Sequence, residues 1–198
     1  MIQFSIVEQI ALVIFLLSGI SFFLYHLLLR LKIILKGKSD FSIDQLPKRI
    51  ARVFDEVILH KKVASGKRKS AGILHALVMY GFIFFGLITI NHFGMAFGLP
   101  IFSDSIRHTY FLFFGAPWAI LCSIGILGLA YRRFVIKPEA LGKFSSTSAI
   151  VSVFIVTLMA TYLIDEFHIL SGAAEKFNWW LHSGVIGGFL FLIPQSKH

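Results

Sequence analysis

Residues 73–99 read ILHALVMYGFIFFGLITINHFGMAFGL, without an Asp, Glu, Lys or Arg among them. A helix rises about 1.5 Å per residue, so roughly 20 apolar residues cross the hydrocarbon core of a bilayer. A helix of a soluble protein is usually shorter and carries a polar face. The stretch is therefore predicted to be a transmembrane helix.

Four further uncharged apolar runs have the same character. They are Ile10 to Leu29, Tyr110 to Tyr131, Ala149 to Ile164 and Trp179 to Ile193. Together with Ile73 to Leu99 they predict an all-α fold, an integral membrane bundle of five transmembrane helices. Residues 1–198 are expected to form a single membrane domain.

The composition excludes other classes of protein. Of the 198 residues 57% are hydrophobic and 15% are charged, whereas a disordered chain has low hydrophobicity. Cys122 is the single cysteine and lies in an apolar run, so a disulfide scaffold is also excluded. A polytopic membrane protein remains.

The basic residues predict the orientation of the bundle. Seventeen of the nineteen Lys and Arg lie in residues 30–69, in residues 132–143 or at Lys197, and the other two are Arg107 and Lys176. Positive charge collects in cytoplasmic loops. We therefore expect a multi-pass protein of the cell inner (cytoplasmic) membrane, with its amino terminus outside and its carboxyl terminus in the cytoplasm. The net charge of +9 follows from this topology, so lipid headgroups are expected partners and nucleic acid is not.

The basic cytoplasmic loop, residues 30–72, contains a further pattern. Apolar residues recur there at helical spacing, with Arg52, Asp55 and Glu56 on the opposite face. The apolar residues are Ile50, Val53, Phe54, Val57 and Ile58. This pattern predicts an amphipathic helix that lies on the membrane; the alternative is a docking platform for a soluble partner.

Histidine is the ionisable residue that the spans do contain. The five spans hold essentially no Asp, Glu, Lys or Arg, which disfavours an ion pathway built on carboxylates. His75 and His92 lie on the second span and His182 on the fifth. Neutral imidazole ligates metals well in an apolar setting, and two imidazoles from facing helices can hold a haem iron from both sides.

The spacing of these histidines predicts two pairs. His75 and His92 are 17 residues apart, about 25 Å along a helix, and His182 and His198 are 16 apart, about 24 Å if the helix continued. The second and fifth spans run in opposite directions, so His92 falls level with His182 near the outer face and His75 level with His198 near the inner face. Pro194 is expected to end or kink the fifth helix. A histidine at the end of a span can instead lie at the level of the lipid headgroups without binding a metal. Taken singly, His26, His92 and His108 fit this alternative.

Two stretches of the chain carry a family resemblance. The first runs from Lys67 to His75 and on to Phe82, and the second is Trp179-Trp-Leu-His182 followed by Ile193-Pro-Gln-Ser-Lys-His198. Together they resemble the nitrate reductase gamma-subunit-like cytochrome b family, and most closely its branch associated with heterodisulfide-reductase-like iron–sulfur proteins. The resemblance implies a five-helix subunit with two haems b. It also implies electron transfer between a membrane quinone, menaquinone or ubiquinone, and a cytoplasmic iron–sulfur protein or fused domain.

The resemblance assigns ligand positions unevenly. His75 and His182 match the haem-iron ligands of the family directly. The family's other ligand on the second helix falls at Phe85 in this chain, so His92 is inferred from its depth alone. The Pro-x-Ser-Lys stretch of the family continues to a histidine a few residues on, so the inner ligand is His198 or lies beyond it.

A cytoplasmic continuation beyond residue 198 is expected, and in related proteins it carries iron–sulfur clusters. Because Cys122 is its only cysteine, this segment cannot itself supply a four-thiolate cluster. Iron–sulfur clusters are therefore expected only in a partner or in that continuation. The candidates for quinone protonation near the outer surface are Asp104, Arg107, His108, Asp165, Glu166 and His168.

The sequence thus predicts a di-haem cytochrome b electron-transfer subunit of a quinone-linked oxidoreductase, in which His75, His92, His182 and His198 bind the haem irons. The direction of electron flow stays open, because it depends on contacts that a sequence does not display. The alternative is a haem-free membrane anchor of a respiratory complex. A small-solute transporter is a third possibility, although it usually needs broken spans or intramembrane charge.

Overall fold

The computed structural model describes residues 3–37, 45–58 and 69–196, and these residues form helices joined by turns, with no strand. The all-α prediction is therefore confirmed. The helices are α1 (Ile6–Leu35), α2 (Leu46–Val53), α3 (Lys69–Ala96), α4 (Asp104–Ile136), α5 (Ser146–Glu166) and α6 (Gly172–Gln195). His198, Lys197, Lys67 and Arg68 lie outside the described residues.

Four of these helices are long and apolar enough to cross a membrane, namely α1, α3, α4 and α5. The shortest, α5, has 21 residues, which is enough for the roughly 20 that a span needs. The fifth predicted span corresponds to α6, which is 24 residues long but less apolar because Asn178, His182 and Ser183 interrupt it. Its membrane crossing and the orientation of the bundle stay predictions.

The helices α3 to α6 pack in chain order around one core. Contacts join α3 to α4, α4 to α5 and α5 to α6, and α1 packs on α6. Side chains from all four helices fill the centre, among them Phe85, Cys122, Leu158 and Phe189. At Gly125 of α4 an added Cβ would lie 2.9 Å from the Leu74 carbonyl oxygen, so this glycine permits the close approach of α3 and α4.

Contacts of α1 tie one end of the bundle together. This end, called the His92 end below, is where α1 and α6 begin and α3 ends. Glu8 forms an ion pair with Lys176 at 3.0 Å, and the Gln9 side-chain amide donates a hydrogen bond of 2.9 Å to the Ala96 carbonyl. Leu12, Ala96 and Trp179 form a buried cluster beneath these bonds. The helices α1, α3 and α6 are therefore linked at this end.

Further contacts of α1, and a contact of the segment that contains α2, lie toward the opposite end of the bundle, called the His75 end. The Arg30 guanidinium donates to the Pro194 carbonyl, and α6 ends one residue later at Gln195. The predicted amphipathic segment forms α2 and a π-helical turn, Phe54–Ile58, and its apolar side chains are exposed. The Tyr80 hydroxyl of α3 donates a hydrogen bond of 2.5 Å to the Ile58 carbonyl.

Candidate cofactor site

The imidazoles of His92 and His182 are in contact. Their ring centroids are 4.9 Å apart and the ring planes make an angle of 54°. His92 lies one turn before the end of α3 and His182 lies in the third turn of α6. Two antiparallel helices thus bring two histidines to the same level of the bundle.

His92 is held by neighbours of His182 on α6. Its ring stacks on the Trp179 indole, with centroids 4.6 Å apart and planes 14° from parallel. Its Nε2 lies 2.9 Å from the Ser183 hydroxyl, and Ser183 is fully buried. One side of α6 therefore fixes the position and tilt of the His92 ring.

His182 is held from the other side, by α5. Its Nδ1 lies 2.7 Å from the Thr161 hydroxyl oxygen, which in turn lies 2.7 Å from the Thr157 carbonyl oxygen. The Asn178 side-chain amide donates a hydrogen bond of 2.9 Å to the Thr161 carbonyl. Thr161 and Asn178 are both buried. A small polar network thus surrounds the histidine pair within an otherwise apolar core.

An apolar cavity of about 260 Å3 adjoins His182. Aromatic and sulfur-containing side chains form much of its wall, among them Phe85, Phe189, Cys122 and Met159. A Cβ added at Gly86 would meet no atom within 4 Å, so the wall is open there. Phe82 and Gly86 are both exposed as well as part of the wall. The cavity therefore opens to the side of the bundle between α3 and α6.

Two cavities whose walls contain charged side chains, called the polar cavities below, lie on the other side of the histidine pair, at the His92 end. The smaller, about 30 Å3, is lined by both histidines and by Arg107, Tyr110, Asp165 and Glu166, among others. The larger, about 240 Å3, is lined by Phe4, His92, Met95, Asp104, Arg107, Asp165, His168, Glu175 and Trp179. Five of the six predicted protonation candidates line one cavity or both. The sixth, His108, is exposed and lines neither.

The residues fit a haem in their chemistry and in the matched depth of the two histidines in the bundle. Two imidazoles from opposed helices, a polar network behind one of them and an adjoining apolar cavity with an open glycine wall suit an apolar macrocycle. The spacing of the rings differs from that of two axial ligands. A metal–imidazole bond is about 2.0–2.1 Å long, so two ligating nitrogens lie about 4 Å apart and the ring centroids farther. The rings of His92 and His182 would therefore have to separate to hold one iron between them.

The second predicted pair is described only in part. His75 lies on α3 near its beginning, at the opposite end of the helix from His92, and its side chain is exposed. Its predicted partner, His198, is outside the described residues. No group of three or more His, Cys, Asp or Glu in the described ranges is arranged to hold a metal ion, although a haem needs only two protein ligands.

Sequence reasoning missed Thr161, Asn178 and Ser183. Each is a polar residue in a strongly apolar helix, and polar side chains in such helices usually face the bundle interior. Asn178 also precedes His182 by four residues, so the two share a face of α6. These two signals were available in the sequence, but the contact between Thr161 and His182 depends on how α5 is rotated against α6.

The chain is similar to one curated protein named "Probable iron-sulfur-binding oxidoreductase FadF", from Bacillus subtilis (strain 168). The two are 29% identical over an alignment of 212 positions, gaps included, which covers 91% of this chain and 29% of that protein. The chain therefore spans less than a third of the length of this relative. No protein-family model and no solved structure matches the chain. The resemblance to the nitrate reductase gamma-subunit-like family accordingly stays a prediction.

Proposed function

We propose that this chain is the membrane part of a quinone-linked oxidoreductase and acts as a di-haem cytochrome b electron-transfer subunit. The observation that carries the proposal is the contact of His92 with His182, two imidazoles from opposed helices inside an apolar bundle. The similarity to a protein named as an iron–sulfur-binding oxidoreductase supports a role in electron transfer. His92 and His182 would hold the outer haem, and His75 with His198 or a later residue would hold the inner one.

A bound haem would supply a one-electron redox centre, and the protein supplies everything around it. Thr161 and Ser183 orient the two imidazoles through hydrogen bonds. The aromatic wall of the apolar cavity keeps water from that side of the histidine pair. Asp165 and Glu166 offer carboxyl groups that exchange protons with a quinone headgroup, menaquinone or ubiquinone, at the outer surface, and Arg107 supplies a fixed positive charge beside them.

The proposed topology has five spans with α6 as the fifth, the amino terminus outside and the carboxyl terminus in the cytoplasm. Four helices meet the length and apolarity of a span. An iron–sulfur protein or fused domain on the cytoplasmic side would then exchange electrons with the inner haem. The relative is more than three times as long as the matched region, which leaves room for such a domain in that protein. The cytoplasmic membrane of the cell is the proposed location.

A haem-free membrane anchor is the competing function, and one observation favours it. His92 already has a stacking partner in Trp179 and a hydrogen-bond partner in Ser183, so its ring is satisfied without a metal. In such an anchor the spans would only tether a soluble enzyme. Haem content separates the two functions.

The test is a reduced-minus-oxidised optical spectrum of the purified full chain, with haem quantified as the pyridine haemochrome. Two haems b per chain are expected. One haem per chain would remove one of the two histidine pairings. Absence of haem b from protein that was expressed with an ample haem supply would overturn the proposal and leave the anchor.

A further inference from the structure

The hydroxyl group of Thr161 can donate only one hydrogen bond. Its oxygen lies 2.7 Å from the Thr157 carbonyl oxygen and 3.1 Å from the Leu158 carbonyl oxygen, both on the preceding turn of α5. Two oxygens at 2.7 Å repel each other unless a hydrogen lies between them. The Thr161 hydrogen is therefore directed at the backbone of its own helix.

The same oxygen lies 2.7 Å from Nδ1 of His182. Because its hydrogen is already donated, the Thr161 oxygen can act only as an acceptor towards the imidazole. The hydrogen of this second bond must then come from His182 Nδ1. A neutral imidazole carries one N–H, so Nε2 is left with its lone pair.

Asn178 strengthens this arrangement from α6. Its side-chain amide donates to the Thr161 carbonyl at 2.9 Å and so fixes the turn of α5 that presents the hydroxyl. Thr161 is 4% exposed and Asn178 5% exposed, so bulk water hardly reaches either group. The hydrogen bond to His182 is thus set by two helices at once.

We propose that Thr161 is a positioning residue that holds His182 as the Nδ1–H tautomer and thereby presents Nε2 to a metal. Metal-binding histidines commonly donate their second N–H to an acceptor, which fixes the ring and raises the basicity of the ligating nitrogen. His92 differs, because its Nε2 lies 2.9 Å from the Ser183 hydroxyl, and within the described ranges no corresponding bond to a backbone carbonyl fixes the direction of that hydroxyl. The functional consequence rests on the proposed haem ligation, whereas the tautomer itself does not.

The first test measures the tautomer without haem. The full chain is labelled with 15N-histidine, prepared haem-free in lipid nanodiscs, and the His182 signal is assigned by its loss in His182→Ala. An N–H at Nδ1 is expected in the wild type and in Thr161→Ser, and a shift towards the Nε2–H form is expected in Thr161→Val. A wild-type signal with the hydrogen on Nε2 overturns the inference even if Thr161→Val fails to fold.

The second test measures the reduction potential of the haem-loaded protein. Loss of the acceptor in Thr161→Val makes His182 a weaker donor to ferric iron, so the potential of the outer haem should rise. We expect about a tenfold change in the ratio of reduced to oxidised haem at a fixed ambient potential, equivalent to 59 mV for one electron. Thr161→Ser should retain the wild-type potential, and equal potentials for all three proteins would overturn the inference. A protein that never binds haem ends the proposed function but leaves the tautomer measurement decisive.

Discussion

Arg107 of α4 and Glu166 at the end of α5 form an ion pair of 3.5 Å at the His92 end of the bundle. Their side chains are 25% and 10% exposed, so water screens the pair only in part. Arg107 also lines both polar cavities, and Glu166 lines the one shared by the two histidines. The pair therefore links two helices and contributes charge to the wall beside the candidate cofactor site.

We expect Glu166→Gln to lower quinone-linked electron transfer without loss of haem. The variant removes a carboxylate that can exchange protons and leaves the Arg107 charge without its partner. The free energy of unfolding should fall by about 1–3 kcal/mol, as for other groups that lose a buried partner. Quinone-linked turnover and thermal unfolding in detergent measure the two effects. His108→Gln is the matched comparison and should change neither turnover nor stability, because His108 lines neither cavity. A larger loss of turnover in His108→Gln than in Glu166→Gln would contradict the prediction.

Single replacement of either histidine in contact should remove the same haem. His92→Ala and His182→Ala are each expected to reduce haem b from two to one per chain, and the double variant should lose no more than either single one. His75→Ala should remove the other haem, so His75→Ala with His182→Ala should abolish haem binding. Pyridine haemochrome analysis gives the counts. His26→Ala is the control, since its ring contacts Phe22 and Tyr25 of its own helix.

Filling the apolar cavity from Gly86 should weaken haem binding. Gly86→Ala adds a Cβ where no atom lies within 4 Å and should be tolerated, whereas Gly86→Leu would occupy the space beside His182. We expect at least a tenfold loss of haem affinity for the leucine variant, or about 1.4 kcal/mol. Haem titration of haem-free protein measures it. Gly184→Leu is the matched control, because that glycine is also open but outside the cavity wall; equal losses at both positions would contradict the prediction.

Gly187 of α6 packs closely against the Phe15 ring of α1. A Cβ at Gly187 would overlap the Phe15 ring, so Gly187→Ala should displace α1 and reduce the free energy of unfolding by about 1–3 kcal/mol. The smaller side chain in Phe15→Leu should recover part of this loss, since the two positions are in direct contact. Thermal unfolding in detergent gives both values. If the losses in the free energy of unfolding from the two single variants simply add in the double variant, α1 does not pack on α6 in this register.

Much of the fold follows from composition alone. The uncharged run from Ile73 to Leu99 predicted a helix, and α3 covers most of it, because an apolar chain in lipid must satisfy its backbone hydrogen bonds internally. The level of His92 and His182 followed from helix rise and chain direction. Those two quantities need no knowledge of side-chain packing, so the contact could be anticipated.

The surroundings of the pair could not be anticipated. Whether Thr161 faces His182 depends on the rotation of α5 about its axis, and no repeating pattern in that apolar helix marks a buried face. Which of the candidates for quinone protonation line a cavity depends on how the turns around residues 97–103 and 167–171 fold. Arg107 and His108 are neighbours in sequence, yet one lines both polar cavities and the other is exposed.

The ties of α1 to α3 and α6 at the His92 end have a consequence for access. Three contacts close the gap between these helices at the His92 end. They are the Gln9 bond to Ala96, the Glu8 ion pair with Lys176 and the buried cluster around Leu12. The apolar cavity instead reaches the surface nearer the middle of α3, at Phe82 and Gly86, on a face that lipid tails would cover. A large hydrophobic ligand would therefore enter laterally, from within the bilayer. Protons from water would enter through the polar cavities lined by Arg107.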